Sequence, residues 1–258
     1  MNIYKQAVTC ILLSGILFSC KTESAKISKA ELTDYKMLKS SEKIVVDGKM
    51  DEKAWADAVV VSLDNFYEIK KDSDRQNTKF RMLWDDENLY LFYEAEDKFI
   101  TARATEQDGQ PYMDDCAEIF ITPTPIANKT HFAFEVNLYK TSNDIVYIED
   151  YYKGQKGVIK GFNPDFERAV VVDGTINDNS DIDKGWTMEM AIPLVSFWGM
   201  DWYHPAEFGA KWTFQVLRQG RNEVEGERRV VSTLFPISDL EDVHNSARFG
   251  VLEFASEK

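Results

Sequence analysis

A chain of 258 residues with 44% hydrophobic and 13% aromatic content has ample material for a packed core, which argues against a disordered or fibrous protein. Its 44 acidic and 30 basic side chains leave a formal charge of −14, a field that repels a phosphate backbone and argues against nucleic acid as a partner. Aromatics are numerous for so acidic a chain, with 16 Phe, 11 Tyr and 6 Trp, and Tyr and Trp stack on apolar faces while keeping a polar edge wet.

Residues 1–19 read as an export signal, with Lys5 as the basic start and Ala7 to Phe18 as an apolar run too short to span a bilayer. Leu17-Phe18-Ser19-Cys20 resembles the lipobox of bacterial lipoproteins. That resemblance implies cleavage before Cys20, its acylation, and an exported protein held to a bacterial membrane, periplasmic or cell-surface, through the lipid alone. Residues 20–41, polar and rich in Lys, Ser and Glu, read as a flexible tether, so the folded domain is expected over 42–258. With Cys10 in the cleaved segment and Cys20 acylated, Cys116 stands alone and no intrachain disulfide is expected.

Along the domain, Asp51 to Ala58 predicts two helical turns with acidic residues near the positive N-terminal end. Lys79 to Leu83 and the unbroken apolar run Leu89 to Tyr93 predict paired strands across the turn at residues 84–88, the second buried on both faces. Ala117 to Ile121 follows as a strand. The clearest alternation is His131 to Leu138, which puts Phe132, Phe134, Val136 and Leu138 on one face and His131, Glu135 and Asn137 on the other. Further strands are expected at Asp144 to Glu149, Ala169 to Val172, Trp186 to Ile192, Trp212 to Leu217, Arg229 to Leu234 and Arg248 to Phe254. About ten strands with hardly any helix predict an all-β, two-sheet antiparallel β-sandwich, jelly-roll-like in kind.

Ordered blocks then carry a resemblance. Val46-Asp47-Gly48 through Glu52-Lys53-Ala54-Trp55, Leu83-Trp84-Asp85-Asp86-Glu87-Asn88-Leu89-Tyr90, Asp114-Asp115-Cys116-Ala117-Glu118-Ile119-Phe120-Ile121, Phe134-Glu135-Val136-Asn137, Gly185-Trp186-Thr187-Met188-Glu189-Met190-Ala191-Ile192-Pro193 and Phe249-Gly250 together resemble family 9 carbohydrate-binding modules. The resemblance implies a β-sandwich that binds oligo- or polysaccharide, often beside glycan-degrading enzymes, with structural calcium in several members. It also implies an aromatic clamp. The first ring matches Tyr112, while the second position falls on Val243-His244, where His244 is the only ring. The polar members carry over to Glu118, Asn137 and Gln215; the family's Arg two positions before Asn137 is Glu135 here. Outside the resemblance, Arg218 and Arg221 follow Gln215 and offer a guanidinium for bidentate hydrogen bonds. Trp198, Trp202 and Tyr203 flank Gly199 as loop aromatics.

For calcium, Asn179, Asp181 and Asp183 alternate as oxygen ligands, but Lys184 stands where a helix-loop-helix site needs Gly, which leaves Asp47, Asp51 and Asp97 as candidates from separate loops. No Gly-x-Ser-x-Gly, His-Glu-x-x-His or Gly-rich phosphate loop is present, so the sequence shows no catalytic motif. Two alternatives stand beside a non-catalytic sugar binder. One is non-covalent haem held by His131, His204, His244 or Met, since no Cys-x-x-Cys-His is present; the other is a subunit contacting a second protein of a glycan-uptake system.

Overall fold

The computed structural model describes residues 32–126, 128–148, 157–199, 203–222 and 229–256, with the side chains of residues 241 and 242 excepted. The expected signal segment, Cys20 and Trp202 lie outside the described residues. The strands are β1 (Tyr35–Lys39), β2 (Val61–Ser62), β3 (Asn65–Tyr67), β4 (Thr78–Trp84), β5 (Asn88–Glu96), β6 (Cys116–Thr122), β7 (His131–Asn137), β8 (Ser142–Ile148), β9 (Gly157–Ile159), β10 (Glu167–Asp173), β11 (Gly185–Pro193), β12 (Lys211–Arg221), β13 (Arg229–Thr233) and β14 (Gly250–Ala255), with α1 (Ala54–Asp57) as one helical turn.

Leu89 to Tyr93 is buried along its whole length. Leu89, Leu91 and Tyr93 face the main core, while Tyr90 and Phe92 pack on Trp55 beneath the segment around α1. The β4–β5 turn is set by Asp85, whose carboxylate accepts from the amides of Glu87 and Asn88 at 2.8 Å each and from the Tyr90 hydroxyl at 2.7 Å. On the same outer side, Glu189 of β11 accepts from the amides of Asp47 and Gly48 and from Trp55 Nε1 at 3.0, 2.9 and 3.2 Å. One buried carboxylate thus pins the Val46-Asp47-Gly48 segment to the sheet.

Hydrogen bonding runs unbroken in the order β10-β11-β5-β4-β1-β14-β12-β6-β7-β8-β9. The path turns back on itself. Phe80, Met82, Leu91, Tyr93, Met188 and Met190 from one layer meet Ile119, Ile121, Phe132, Phe134, Trp212 and Phe214 from the other in a single core. The result is the expected all-β sandwich, with Trp55, Trp84 and Trp186 buried.

The described residues form fourteen strands where about ten were expected, and further details differ from the sequence reading. The layers are joined by hydrogen bonds through β1, and β1 pairs in parallel with both β4 and β14, so the sandwich is not purely antiparallel. β1 also moves the start of the folded region ahead of Glu42 into the expected tether: Tyr35 and Met37 are buried, and the Tyr35 hydroxyl donates to Val59 O at 2.6 Å and accepts from Met82 N at 2.7 Å. The helix spans Ala54–Asp57 only, because its buried side is short and consists of Ala54 and Trp55.

Candidate functional site

Alternation along β6, β7, β8 and β12 sends one set of side chains into the core and the other onto an outer face. On that face the register aligns Leu217, Glu118, Glu135 and Asn143 in one cross-strand row. Two residues along the strands on one side lies the row Gln219, Cys116 and Asn137. In the opposite direction come Phe120, Ala133 and Ile145, and then His131 opposite Tyr147.

Glu118 and Glu135 stand directly opposite each other, a placement that brings cross-strand Cβ atoms within about 5.5 Å. Both are 3% exposed. Burial pushes the Glu118 carboxyl up to about 7, against the pull of Gln219, Arg229 and Arg221. Glu135 is raised well above the usual carboxylate range by burial and then by the charge of Glu118. Asn143 Nδ2 donates to Glu135 at 2.7 Å and the Tyr147 hydroxyl at 3.4 Å. Glu118 Oε1 and Asn143 Oδ1, both buried, have no hydrogen-bond partner among the described residues. Glu135 lies between them in the row, and each is a buried acceptor that a donor from outside would satisfy.

A block of rings closes one end of this row. The His244 ring stacks on Phe120 at 4.8 Å and 17°, and His131 stacks on Tyr147 at 5.0 Å and 17°. His131 Nε2 and His244 Nδ1 share a hydrogen bond of 3.1 Å. Burial holds both imidazoles below their usual range, His244 at about 3. Two imidazoles bonded to each other leave no room for a metal between those nitrogens. His204 is exposed, and its carbonyl accepts from Trp212 Nε1.

The other end is built by the short turn at Pro111–Met113. Tyr112 is half-buried there. Arg221, reaching from the same face of β12, donates Nη2 to Tyr112 O and Nε to Met113 O, each at 2.6 Å. Asp115 fixes that corner, accepting from Arg221 N at 2.7 Å and Thr101 N at 2.6 Å. The turn that carries Tyr112 is thus tied to the same face as Glu118, with His244 at its other end.

The remaining expected residues are placed differently. Asn137 lies on this face but is a strut: its amide donates to Ala104 O and Asp114 at 2.8 Å each, and its oxygen accepts from Tyr139 N and Thr141 N. Gln215 is likewise occupied, donating to Phe235 O at 2.9 Å and accepting from Phe235 N at 3.0 Å. Arg218 points to the other side of β12, where it pairs with Asp97 at 2.7 Å and donates to Glu96 O at 2.8 Å, its guanidinium over Trp186. Counting by twos from Gln215 puts Arg221 on the Glu118 face and Arg218 behind it. The sequence reading also left Glu135, Asn143 and Tyr147 out of the candidate set, although the alternation through His131, Glu135 and Asn137 marked the face.

Asp97 is thus committed to Arg218 and to Trp186 Nε1, and Asp47 bonds the backbone and side chain of Lys49. Among the described residues no three Asp, Glu, His or Cys side chains gather as metal ligands. A separate groove of about 320 Å³ on the outer side of the other layer, beside Lys79, Glu94 and Thr187, has no unpartnered buried polar atom among its described lining. The outer face of β12, β6, β7 and β8 is the better-built site.

Residues 46–256 match the family described as carbohydrate family 9 binding domain-like. No curated protein matches the chain. Among solved structures, the chain is similar to a family 9 carbohydrate-binding module from Caldicellulosiruptor kristjanssonii in complex with cellotriose, at 17% identity and a TM-score of 0.60, covering 86% of this chain and 95% of that one. The same module in complex with glucose gives 17% identity, a TM-score of 0.60 and coverage of 86% and 97%. A protein from Bacteroides uniformis ATCC 8492 gives 16% identity, a TM-score of 0.61 and coverage of 85% and 99%. The strand blocks, the sandwich and the match across nearly all of the described chain place this protein in the carbohydrate family 9 binding domain-like family.

Proposed function

We propose that the outer face of β12, β6, β7 and β8 binds a saccharide, between the Tyr112 turn at one end and the His131, His244 and Tyr147 rings at the other. The observation that carries this reading is the row of Glu118, Glu135 and Asn143, with two buried oxygens lacking donors. Sugar hydroxyls supply donors, and sugar C–H faces suit flanking rings. Cellotriose and glucose in the related Caldicellulosiruptor module support the same ligand class. Binding alone is proposed, with no catalytic step. The motif ending in Cys20 supports a lipid-anchored, exported protein that brings glycan to neighbouring degradation or uptake proteins. No helix among the described residues is long and apolar enough to cross a membrane.

A glycan array followed by calorimetric titration tests this reading, with and without added calcium. Binding of a glucose-based oligosaccharide, reduced in Glu118→Gln, is the expected result. Absence of binding to every glycan at millimolar concentration overturns it in favour of the protein-contacting subunit.

A further inference from the structure

The chemistry of the Glu118 row narrows the ligand class, an inference that rests on the carbohydrate-binding reading of this face. Both orphaned atoms in the row, Glu118 Oε1 and Asn143 Oδ1, are acceptors, and the group opposite Glu118 is another carboxyl, Glu135. Two carboxylates this close oppose each other's ionisation unless a cation lies between them.

The described cations nearest the row have partners of their own. Arg221 is held by the carbonyls of Tyr112 and Met113. Arg229 donates to Gln219 Oε1 at 2.9 Å and lies 3.9 Å from Glu68. Arg218 is on the opposite side of β12 with Asp97. Arg248, beside the His244 turn, donates to Ser238 at 2.6 Å. Of the other titratable groups around the row, Asp144 on β8 is bound to Ser142 and Gln107, Cys116 keeps its thiol buried, and His131 and His244 bond to each other. Among the described residues no cation makes a hydrogen bond to Glu118 or Glu135.

We propose that this face selects saccharides carrying a free amine, with the ammonium of a glucosamine-type unit seated between Glu118 and Glu135. An ammonium brings three donors and one positive charge. It therefore supplies a donor to the orphaned Glu118 oxygen and relieves the repulsion between the carboxylates, whereas a hydroxyl brings one donor and no charge. An N-acetyl group removes the charge and adds bulk. Seating the ammonium shifts both carboxyls toward the ionised form, so amine binding releases protons from the protein and neutral sugar binding does not.

The test is calorimetric titration of the purified protein at pH 7 and physiological salt with three trimers: unacetylated glucosamine, its N-acetylated counterpart, and cellotriose. The amine trimer is expected to bind about tenfold or more tightly than cellotriose, as charge-assisted contacts in a buried site imply. Its apparent enthalpy should depend on the ionisation heat of the buffer. Glu135→Gln should bring the amine-to-neutral affinity ratio down to about one, and Glu118→Gln gives the same reading should the first variant not fold. Equal or weaker binding of the amine trimer overturns amine selection and leaves the carbohydrate reading intact. An amine preference that survives both variants also overturns it, because it then reflects attraction to the acidic surface. If none of the three binds, the carbohydrate reading falls as well.

Discussion

Arg221 reaches along the outer face of β12 and donates to the carbonyl of Tyr112 at 2.6 Å. A second donation to Met113 makes the contact two-pronged, so a fully buried guanidinium fixes both the position and the tilt of the turn that carries Tyr112. Arg221→Lys keeps the charge and loses the fork. It should cost about 1.5–3 kcal/mol of stability, the range for hydrogen bonds to a charged group. It should also weaken saccharide binding, because the ring is no longer held in place. Thermal unfolding and titration of the same variant check both effects; unchanged affinity removes the turn from the site.

Tyr112→Ala leaves the Arg221 contacts in place, since these go to backbone oxygens. Affinity should fall by about 1–3 kcal/mol through loss of a stacking ring. The cost in stability should stay below that of removing a core aromatic, about 3–5 kcal/mol, because the ring is only half-buried. A melting transition that collapses would mark Tyr112 as core.

Glu118 gives a pH prediction with a definite sign. Burial pushes its carboxyl up to about 7 in the folded protein, above the ordinary carboxylate value of about 4.5, so the folded state binds that proton more tightly. The stability this contributes is fully present below about pH 4.5 and is lost as pH rises to about 7. The neutral isostere Glu118→Gln escapes the loss. Its stability relative to the native chain should therefore increase across that window and level off above it, as read from denaturant midpoints at several pH values. The buried imidazoles act in the opposite sense, losing stability as pH falls below their ordinary range, but they cancel in the comparison.

Tyr35 tests where the folded region starts. Tyr35→Phe removes the hydroxyl that donates to Val59 O and accepts from Met82 N, leaving the buried Met82 amide without this acceptor. A loss of about 1–3 kcal/mol is expected. A chain beginning at Glu42 lacks β1 altogether and should lose cooperative unfolding; a sharp transition in that chain would place β1 outside the stable unit.

Cys20→Ser should release the protein from membranes with its melting temperature unchanged, since the proposed acylation site precedes the first strand. Fractionation after a salt wash is the check. A variant that still sediments with membranes would end the lipid-anchor proposal.

The parts of the fold legible in the sequence were those with long apolar signals. Alternation from His131 to Leu138 gave β7 with its faces correctly sorted, and the unbroken run from Leu89 to Tyr93 gave a strand buried on both sides. β1 was hidden because Tyr35 and Met37 are separated and flanked by Lys36 and Lys39, so five residues of core strand look like part of a polar tether. The site was only partly legible for a related reason. The family resemblance suggested Asn137 and Gln215, and residue type Arg218, as ligand groups, but neither can reveal that Asp114, Phe235 and Asp97 already occupy them. Register across strands decides which carboxyl faces Glu118, and register is a long-range property.

The parallel pairing of β1 with β14 has a mechanical consequence. Tyr35 to Leu38 lie beside Leu252 to Ala255 in the same direction, and the amide of Asp34 extends the ladder to Val251 O. Under anchorage at Cys20, a pull from the membrane enters at the start of β1 and runs along the strand axis. A glycan held on the face of β12, β6, β7 and β8 resists that pull through β14, which pairs with β12. The hydrogen bonds between the two strands are then loaded in shear, all at once, and cannot open one after another as a peeled hairpin does. A load-bearing ladder of this kind would let the domain keep its shape while holding a glycan against flow.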